Sequence, residues 1–547
     1  MRSDTPCTDM KNVLPDVSYA CELYPYEQLF SPIRCGALTL KNRVIATAPR
    51  RLYGETREGF ALKAASGGAA IICLDSGFDA ELCGSIHALG GKLFANLASD
   101  RPLKLYREAR DAIKIGCDGV CLDLRSAGRS QAAALVKAVR HAIGEERAIM
   151  CRLGASGSYC ELAECGADML SVEPSEGAPC EAMPAGCFLE AARRAKQGAA
   201  VVVAASGKLG YPDAAEAALQ NGMCDMIILS RSLLSDPDWC KKAQSGAVGD
   251  IAPYINPQAA LLTNPCAEAE NKKRVAVIGG GVSGMSFALC AAKRGHSVGL
   301  FESAGKLGRR MLFEGGADTL SYRQWLIRRL CKANNAEIYL NSYVDAAYLI
   351  DCGYEVIVYA NGGKPPAPPN ISGWGEIPFA PLWVLAESQT ELAGKHVAVL
   401  GGGKAACECA LRLKMQCGAL RVTLIEQGAR IMRGCDELER RWYEKALEAQ
   451  GVELLTAATP LRIADGSLFV SRYCYAALGT APSKERFIRQ VDCGLIVCAQ
   501  EETADLSQFQ AAQSELPAQT IYNLTGSFSP CDIASATRAA YELASKI

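Results

Sequence analysis

The sequence predicts an α/β protein with an N-terminal (β/α)8 barrel of the TIM type, followed by two Rossmann-like dinucleotide-binding domains. Eight short apolar runs, each followed by a helix-like stretch, lie between Leu29 and Leu262. Two glycine-rich fingerprints follow, in segments that begin at Lys272 and Lys395. Continuous apolar strands that alternate with helices are typical of parallel strands buried on both faces, which indicates the barrel.

Eight strand–helix units are the number that closes such a barrel, and about 234 residues is an ordinary size for it. The loops after the seventh and eighth strands of these barrels frequently bind phosphate. Here those loops contain Gly207 and Arg231, which a turn glycine and a surface ion pair would explain equally well. The runs are RVIATAP from Arg43, AAIICLD from Ala69, KLFANL from Lys92, GVCLDLR from Gly119, AIMCRLG from Ala148, DMLSVE from Asp168, AAVVVAASG from Ala199 and MIILSRS from Met226.

The first fingerprint, KKRVAVIGGGVSGMSFALCAAKRGHSVGLFE, has the order strand, glycine turn, helix and strand. Gly279, Gly281 and Gly284 occupy GxGxxG positions, and Glu302 follows 18 residues after Gly284. Glycines permit a tight turn and the close approach of a pyrophosphate, while the acid accepts hydrogen bonds from ribose hydroxyls. The spacing therefore predicts a dinucleotide site.

The second fingerprint, KHVAVLGGGKAACECALRLKMQCGALRVTLIE, repeats this design. Gly401, Gly403 and Ala406 occupy GxGxxA positions, and Glu426 closes the second strand 20 residues after Ala406. An acid at this place repels a 2′-phosphate, which favours NADH over NADPH. Arg430 and Arg433 lie nearby, and an arginine accommodates a 2′-phosphate, so binding of NADPH stays an alternative.

Composition excludes several other classes of protein. The 547 residues carry 58 Lys and Arg against 59 Asp and Glu, without the basic stripe that a nucleic-acid partner requires. No apolar run approaches the roughly 18 residues that span a bilayer, so we expect a cytoplasmic protein without membrane contact. The 26 cysteines form no CxxC pair, and many lie in apolar runs, which predicts reduced thiols in the cores.

The layout resembles the Old Yellow Enzyme-like NADH:flavin oxidoreductases related to 2,4-dienoyl-CoA reductase and trimethylamine dehydrogenase. The resemblance covers residues 29–547 and rests on both fingerprints and on two barrel motifs. These are LFSPIRCGALTLKNRVIATAP from Leu29 and ASGKLGYPDAAEAALQNGMCDMIILSRSLLSDPD from Ala205. The family joins an FMN-binding barrel, a four-cysteine iron–sulfur segment, and an FAD domain into which an NAD(P)H domain is inserted.

The resemblance implies a division of the chain. It gives an arm over residues 1–28, a shortened FMN-type barrel over 29–262, a linker over 263–271 in place of the iron–sulfur segment, an FAD-type domain over 272–390 with 468–547, and an inserted NAD(P)H-type domain over 391–467.

The resemblance also implies the residues that contact each flavin. Arg152 is expected beside the FMN pyrimidine, where it would stabilise negative charge on the reduced ring, although an ion pair at the barrel mouth is the alternative. Gly526 and Ser527 replace a GD motif whose aspartate binds a ribityl hydroxyl of FAD. The positions expected to face FMN are Ala48, Pro49, Asn96, Arg152, Gly207 and Arg231.

Two departures from the family bear on activity. The histidine pair that binds the substrate carbonyl after the fourth strand is missing, and Arg125 and Asp123 are the candidates to replace it. Activating an enone requires hydrogen-bond donors at its oxygen and an acid for the adjacent carbon. In the cluster segment, the fourth ligand position aligns with Leu261 and only Cys266 remains, so we expect neither an iron–sulfur cluster nor another metal site.

Three functions remain open. The favoured one is an enzyme, a flavin oxidoreductase that passes a hydride from NADH or NADPH to FAD and on to a small-molecule acceptor or a partner. The second is a degenerate paralogue that serves as a structural or regulatory subunit of a hetero-oligomer with an intact family member. The third is a barrel binding module with vestigial Rossmann domains. The sequence names neither the acceptor nor the oligomeric state.

Overall fold

The computed structural model divides the chain between residues 263 and 264 into two compact units, which are described separately. None of the helices in its described part has the length and apolar character that crossing a bilayer requires. The described residues are 26–49, 52, 54–154, 159–174, 185–255, 262, 267–312, 316–364, 371–382, 392, 394–415, 417–435, 437–473, 486–499, 503–515, 520–525 and 533–547.

The N-terminal unit contains a closed barrel of eight parallel strands, which confirms the predicted fold class. Each strand lies within one of the eight apolar runs, and the eighth strand pairs with the first to close the cylinder. In chain order the strands are Val44–Thr47, Ile71–Leu74, Lys92–Leu97, Gly119–Asp123, Ala148–Leu153, Met169–Val172, Val202–Ala205 and Met226–Leu229.

Helices surround the barrel and begin at capping residues that the sequence supplies. Thr56 and Asp79 accept hydrogen bonds from backbone amides of the helices that follow them, and prolines open two others. The helices are Arg57–Ser66, Ala80–Ala88, Pro102–Ile115, Arg129–Ile143, Tyr159–Glu164, Leu189–Gly198, Pro212–Gln220, Arg231–Ser235 and Trp239–Gln244, followed by a 3-10 turn at Val248–Asp250.

The barrel interior is apolar at its centre. Ile45, Cys73, Phe94 and Cys121 belong to one buried cluster, together with residues of an antiparallel hairpin, Ile33–Cys35 with Leu38–Leu40. Because strand side chains alternate between faces, the residue two positions further along each strand also points inward, closer to the carboxyl end. Those positions are mainly polar, and they form the barrel part of the candidate site.

The C-terminal unit contains two parallel five-stranded sheets. The first has the order Ala336–Tyr339, Ser297–Phe301, Arg274–Ile278, Val356–Tyr359 and Thr520–Asn523. The last of these strands comes from near the chain end and pairs with Val356–Tyr359. The helices described with this sheet are Val282–Lys293, Gly316–Lys332, Ala346–Asp351, Ser507–Glu515 and Ile533–Ala544, with a 3-10 turn at Arg310–Leu312.

The second sheet has the order Phe379–Pro381, Leu495–Cys498, His396–Leu400, Arg421–Ile425 and Glu453–Leu455. Two of its five strands, Phe379–Pro381 and Leu495–Cys498, come from outside residues 391–467, the range expected for the inserted domain. Its helices are Lys404–Met415 and Glu437–Ala449.

An antiparallel sheet of three strands follows the second parallel sheet in the chain. Its strands are Ala458–Ala464, Ser467–Tyr473 and Arg486–Asp492. Buried residues from it, Ile463, Leu468 and Val491, share one apolar cluster with Leu400 and Ile496 of the parallel sheet. The two sheets therefore enclose a common core. A short pair, Gly363–Lys364 with Thr503–Ala504, lies outside these sheets.

Candidate functional site

Polar side chains meet at the carboxyl ends of the third to sixth barrel strands. Register places Asp123 opposite Arg152, and Arg152 opposite Ser171. Each lies two positions after a residue of the apolar interior, so each points inward. Active sites of (β/α)8 barrels lie at this face, which makes it the barrel's candidate site.

A bidentate ion pair joins Arg152 to Glu173. Nε of Arg152 donates to Oε1 of Glu173 at 3.0 Å, and Nη2 donates to Oε2 at 2.6 Å. The hydroxyl of Ser171 donates to Glu173 Oε1 at 2.9 Å, and Glu173 is only 5% exposed. Arg152 therefore stands at the expected place on the fifth strand, with its charge already matched by a buried carboxylate.

A second bidentate pair joins Arg125 to Asp123. Nε and Nη2 of Arg125 donate to the two carboxylate oxygens at 2.8 and 2.5 Å, and Nη1 donates to the carbonyl oxygen of Pro174 at 3.0 Å. Every side-chain nitrogen of Arg125 thus has a partner. Nη1 of Arg152 lies 3.9 Å from Asp123 Oδ2, which links the two pairs. We call Asp123, Arg125, Arg152 and Glu173 the barrel charge cluster.

The contacts of the cluster favour the charged forms of Asp123, Arg125 and Arg152. Burial alone would raise the pKa of Asp123, but the hydrogen bonds and charge of Arg125 outweigh burial, so the pKa lies below its ordinary value. Burial opposes the charge of Arg152, yet Glu173 overcomes it and raises the arginine's pKa. The two carboxylates and two guanidinium groups cancel in formal charge, so the cluster is an internally neutralised network.

Asn96 and the end of the first strand complete this face. With its Oδ1 towards Arg152, Asn96 accepts from Nη1 at 3.1 Å and donates to the carbonyl oxygen of Cys121 at 3.3 Å. Ala48 and Pro49 follow the first strand and are half-buried, with the Ala48 amide bonded to the carbonyl of Cys73 at 3.2 Å. Thr47 is 7% exposed, and its hydroxyl has no hydrogen-bond partner among the described residues.

Gly207 and Arg231 lie after the seventh and eighth strands, as expected. Gly207 has a φ of 107°, and a β-carbon there would lie 2.9 Å from Cys187 Sγ, so the position requires glycine. Its carbonyl accepts from the Gly186 amide at 2.8 Å. The guanidinium carbon of Arg231 lies 5.3 Å from the centre of the Tyr254 ring.

These contacts test whether the barrel suits FMN. The family role of Arg152 needs a cation whose charge is available to the pyrimidine ring. Glu173 matches that charge, and Arg125 is bound by Asp123 and Pro174. The barrel charge cluster therefore does not fit the flavin pyrimidine in the way the resemblance implies.

The first glycine turn is built as the sequence predicts for a dinucleotide. Gly279 has a φ of 108°, and a β-carbon there would lie 2.4 Å from the carbonyl oxygen of Ala360. At Gly284 a β-carbon would lie 1.9 Å from the carbonyl oxygen of Gly279, so this glycine lets the helix pack against the turn. A β-carbon at Gly281 would meet no described atom within 4 Å. No described atom thus occupies the space beside the helix N-terminus, the position where a pyrophosphate binds in such turns.

Glu302 closes this turn. Its Oε2 accepts from the Gly280 amide at 2.7 Å, and its Oε1 accepts from the Ala304 amide at 2.8 Å. A carboxylate has about four acceptor positions, so it retains capacity for ribose hydroxyls. The turn and the acid fit an adenine dinucleotide.

The second turn repeats this geometry. Gly401 has a φ of 120°, and a β-carbon at Gly403 would meet no described atom within 4 Å. Glu426 accepts from the Gly428 amide at 2.5 Å. The guanidinium of Arg433 packs against Gly428, since a β-carbon built there would lie 2.1 Å from Arg433 Nη2. An acid and an arginine therefore flank the ribose position.

Several predicted positions lie outside the described residues, namely Gly526, Ser527, Leu261 and Cys266. Next to the first turn, Asn361 donates to Gln508 Oε1 at 2.7 Å and accepts from the Thr525 hydroxyl at 2.7 Å. Within the described part of the chain, no group of three or more His, Cys, Asp or Glu side chains is arranged to hold a metal.

The sequence did not predict three residues of this face, namely Glu173, Ser171 and Thr47. A signal for Glu173 was present, because DMLSVEP places an acid directly after the sixth strand, on the inward face and next to the strand of Arg152. Ser171 and Thr47 carry no comparable signal, since both types are common in buried strands.

Residues 273–470 match the family model described as pyridine nucleotide-disulphide oxidoreductase. The NADH oxidase of Thermoanaerobacter brockii is 28% identical over 340 residues, which cover 53% of this chain and 52% of that protein. The bilirubin reductase of Mediterraneibacter gnavus is 27% identical over 313 residues, covering 52% and 47%. The chain is also similar to a multifunctional alkene reductase/demethylase of the Old Yellow Enzyme type from Caballeronia cordobensis, which is 24% identical over 204 residues, covering 34% of this chain and 30% of that protein. The chain spans about half the length of the first two of these curated relatives.

The fold of this chain is shared over nearly its whole length with solved structures. A 2-naphthoyl-CoA reductase complex superposes with a TM-score of 0.76 at 19% identity, covering 95% of this chain and 100% of that one. At this identity, the likeness supports the common fold alone.

Proposed function

We propose that this protein is an NAD(P)H-dependent flavin oxidoreductase, which passes a hydride from NADH to FAD and on to a small-molecule acceptor or a partner protein. The observation that carries the proposal is the repeated turn. Each parallel sheet of the C-terminal unit has a glycine turn open at Gly281 or Gly403 and an acid, Glu302 or Glu426, at the end of the next strand.

We assign FAD to the first sheet and the nicotinamide dinucleotide to the second. The strand Thr520–Asn523 returns from the chain end to the first sheet, so that sheet is built from two segments around an inserted one. This arrangement supports an inserted domain of about residues 371–499, wider than 391–467. The family places FAD in the interrupted domain and the nicotinamide in the insert.

This chain's residues provide the binding groups for both molecules. The amides of the two turns and the helix N-termini behind them suit pyrophosphates, and the acids suit ribose hydroxyls. Gly526 and Ser527 are proposed at the ribityl chain of FAD. When bound, the nicotinamide supplies the hydride and the flavin accepts it, so the protein contributes binding, orientation and exclusion of water.

We propose NADH as the preferred reductant because Glu426 faces the position that a 2′-phosphate would need. The contact of Arg433 with Gly428 places a compensating cation close by, which allows weaker use of NADPH. The names of the relatives, NADH oxidase and bilirubin reductase, support reduction of an acceptor.

Two glycine substitutions test the proposal. In Gly281→Val and Gly403→Val, the new side chain enters space that no described atom of the protein fills. We expect Gly281→Val to lose bound FAD, measured by flavin extraction and chromatography. We expect Gly403→Val to retain FAD but to lose its anaerobic bleaching by NADH. Gly84→Val, at a helix position with open space beside it, is the control and should change neither measurement.

The outcomes are separable. Full flavin content in Gly281→Val would contradict the assignment of FAD to the first turn. Loss of FAD, rather than of NADH-dependent bleaching, in Gly403→Val would reverse the two assignments. A wild-type protein without FAD under anaerobic purification would overturn the proposed function.

A further inference from the structure

We propose that Glu173 pairs with Arg152, the arginine that would otherwise contact a flavin mononucleotide, so that the barrel binds no FMN. In combination with the proposed function, the FAD of the C-terminal unit is then the single flavin of the chain. Glu173 is thus a specificity-determining residue of the barrel mouth.

All three side-chain nitrogens of Arg152 have partners within the barrel. Nε and Nη2 bind Glu173 at 3.0 and 2.6 Å, and Nη1 donates to Asn96 at 3.1 Å. Bidentate arginine–carboxylate pairs are among the strongest and most directional hydrogen-bonded contacts in proteins. A flavin ring at this face would therefore meet an arginine whose charge is already paired and whose nitrogens already donate to other residues.

Releasing Arg152 would leave Glu173 as an unpaired buried carboxylate. Glu173 is 5% exposed, and its other contact is the neutral hydroxyl of Ser171. A buried carboxylate that loses its hydrogen-bonded cationic partner is strongly unfavourable, and the nearby charge of Arg125 is already engaged by Asp123. The pair is therefore stable against competition from a ligand.

Arg125 does not replace Arg152 as a free cation. It forms its own bidentate pair with Asp123 and donates its third nitrogen to Pro174. With two positive and two negative groups, the barrel charge cluster offers no net charge. A reduced flavin carries negative charge on its pyrimidine side, and electrostatic stabilisation of such charge needs a preorganised, uncompensated donor.

The phosphate end of the expected FMN site also has internal contacts. Gly207 Cα lies against Cys187 and Phe188, since a β-carbon would come within 2.9 Å of each, and its carbonyl is bonded to Gly186. The segment around Gly186 therefore packs on the strand-seven loop where a phosphate would approach. These contacts fix the conformation of the strand-seven loop, and the proposal rests on the arginine end alone.

The test is a gain of FMN binding in the full-length chain as purified. FMN is added to wild type, Glu173→Gln and Glu173→Gln/Arg152→Gln, and retained FMN is counted by chromatography after desalting. We expect no retained FMN in wild type. Glu173→Gln keeps the side-chain shape but frees the charge of Arg152, so the FMN retained per chain should rise by about tenfold or more above the wild-type background, and the double variant should lose this gain.

Glu190→Gln is the matched control, because Glu190 forms an exposed pair with Arg193 on a barrel helix. It should leave FMN retention at the wild-type level. Thermal melting of each variant checks that the barrel is folded. One FMN per chain in wild type would overturn the proposal, as would a folded Glu173→Gln variant that takes up no FMN. Absence of FAD from every sample would instead overturn the proposed function, since the FMN comparison does not depend on FAD.

Discussion

Asp123 shows how a single residue makes the barrel sensitive to acid. Its pKa lies below the ordinary value, since the bonds and charge of Arg125 outweigh burial, so the folded state favours the ionised form. Such a group contributes stability above its unfolded pKa of about 4 and loses it as the pH falls through the lowered value. We expect wild type to lose more stability between about pH 5 and pH 3 than Asp123→Asn does.

Urea unfolding of both proteins over this range measures the difference. Asp111→Asn provides the control, because Asp111 is exposed and lies 3.5 Å from Lys114. It should follow the wild-type curve. Equal acid sensitivity in Asp123→Asn and wild type would show that the Arg125 pair does not contribute.

The position of Arg152 on the fifth strand was predictable from the sequence, but its ion-pair partner was not. The apolar run before Arg152 located it at the end of the fifth strand. Its charge state at the mouth depends on Glu173, which is 21 residues away and reaches it only through the pairing of the fifth and sixth strands. Sequence patterns predict strands more readily than the side-chain partners that strand register brings together.

The helix Val282–Lys293 depends on a glycine at its close approach to the turn before it. A β-carbon at Gly284 would lie 1.9 Å from the Gly279 carbonyl oxygen, which is backbone and cannot move away cheaply. We expect Gly284→Ala to destabilise the C-terminal unit by about 1–3 kcal/mol through overpacking. The measurement is the midpoint of denaturant unfolding followed in that unit.

Gly84→Ala is the opposite case. Gly84 lies in the helix Ala80–Ala88, and a β-carbon there meets no described atom within 4 Å. Alanine should stabilise this helix by about 0.5–1 kcal/mol, because glycine loses more backbone entropy on folding. For the first of these two predictions, a Gly284→Ala variant with the same stability as wild type would show that the turn at Gly279 has room to shift.

Among the elements, the periodic ones were predictable and the short ones were not. All eight barrel strands and both turn units follow apolar runs with their own helices. The strand Phe379–Pro381 has three residues, too few for a pattern, and Leu495–Cys498 pairs with a strand about 100 residues earlier. Neither pairing is visible locally, so the proposed wider insert, about residues 371–499, rests on strand pairing and not on a sequence pattern.

Electron transfer in the whole molecule depends on which redox centres it holds. The family's iron–sulfur segment retains only Cys266, and a cluster requires four ligands, usually thiolates. We expect iron and acid-labile sulfide near zero in protein purified anaerobically, measured by metal analysis and colorimetric sulfide assay. Stoichiometric iron with sulfide would contradict this expectation.

Two buried thiols on the barrel strands report when the barrel opens. Cys121 points into the barrel interior, and Cys151 faces the surrounding helices. Both are free thiols, and burial raises the pKa of both. Since the thiolate is the reactive form, neither sulfur is alkylated or oxidised while the strands and helices stay packed. The rate at which a small alkylating reagent modifies them therefore measures opening. If the barrel recloses faster than the reagent reacts, this rate reports the equilibrium between the closed and open states; if it recloses more slowly, it reports the rate of opening.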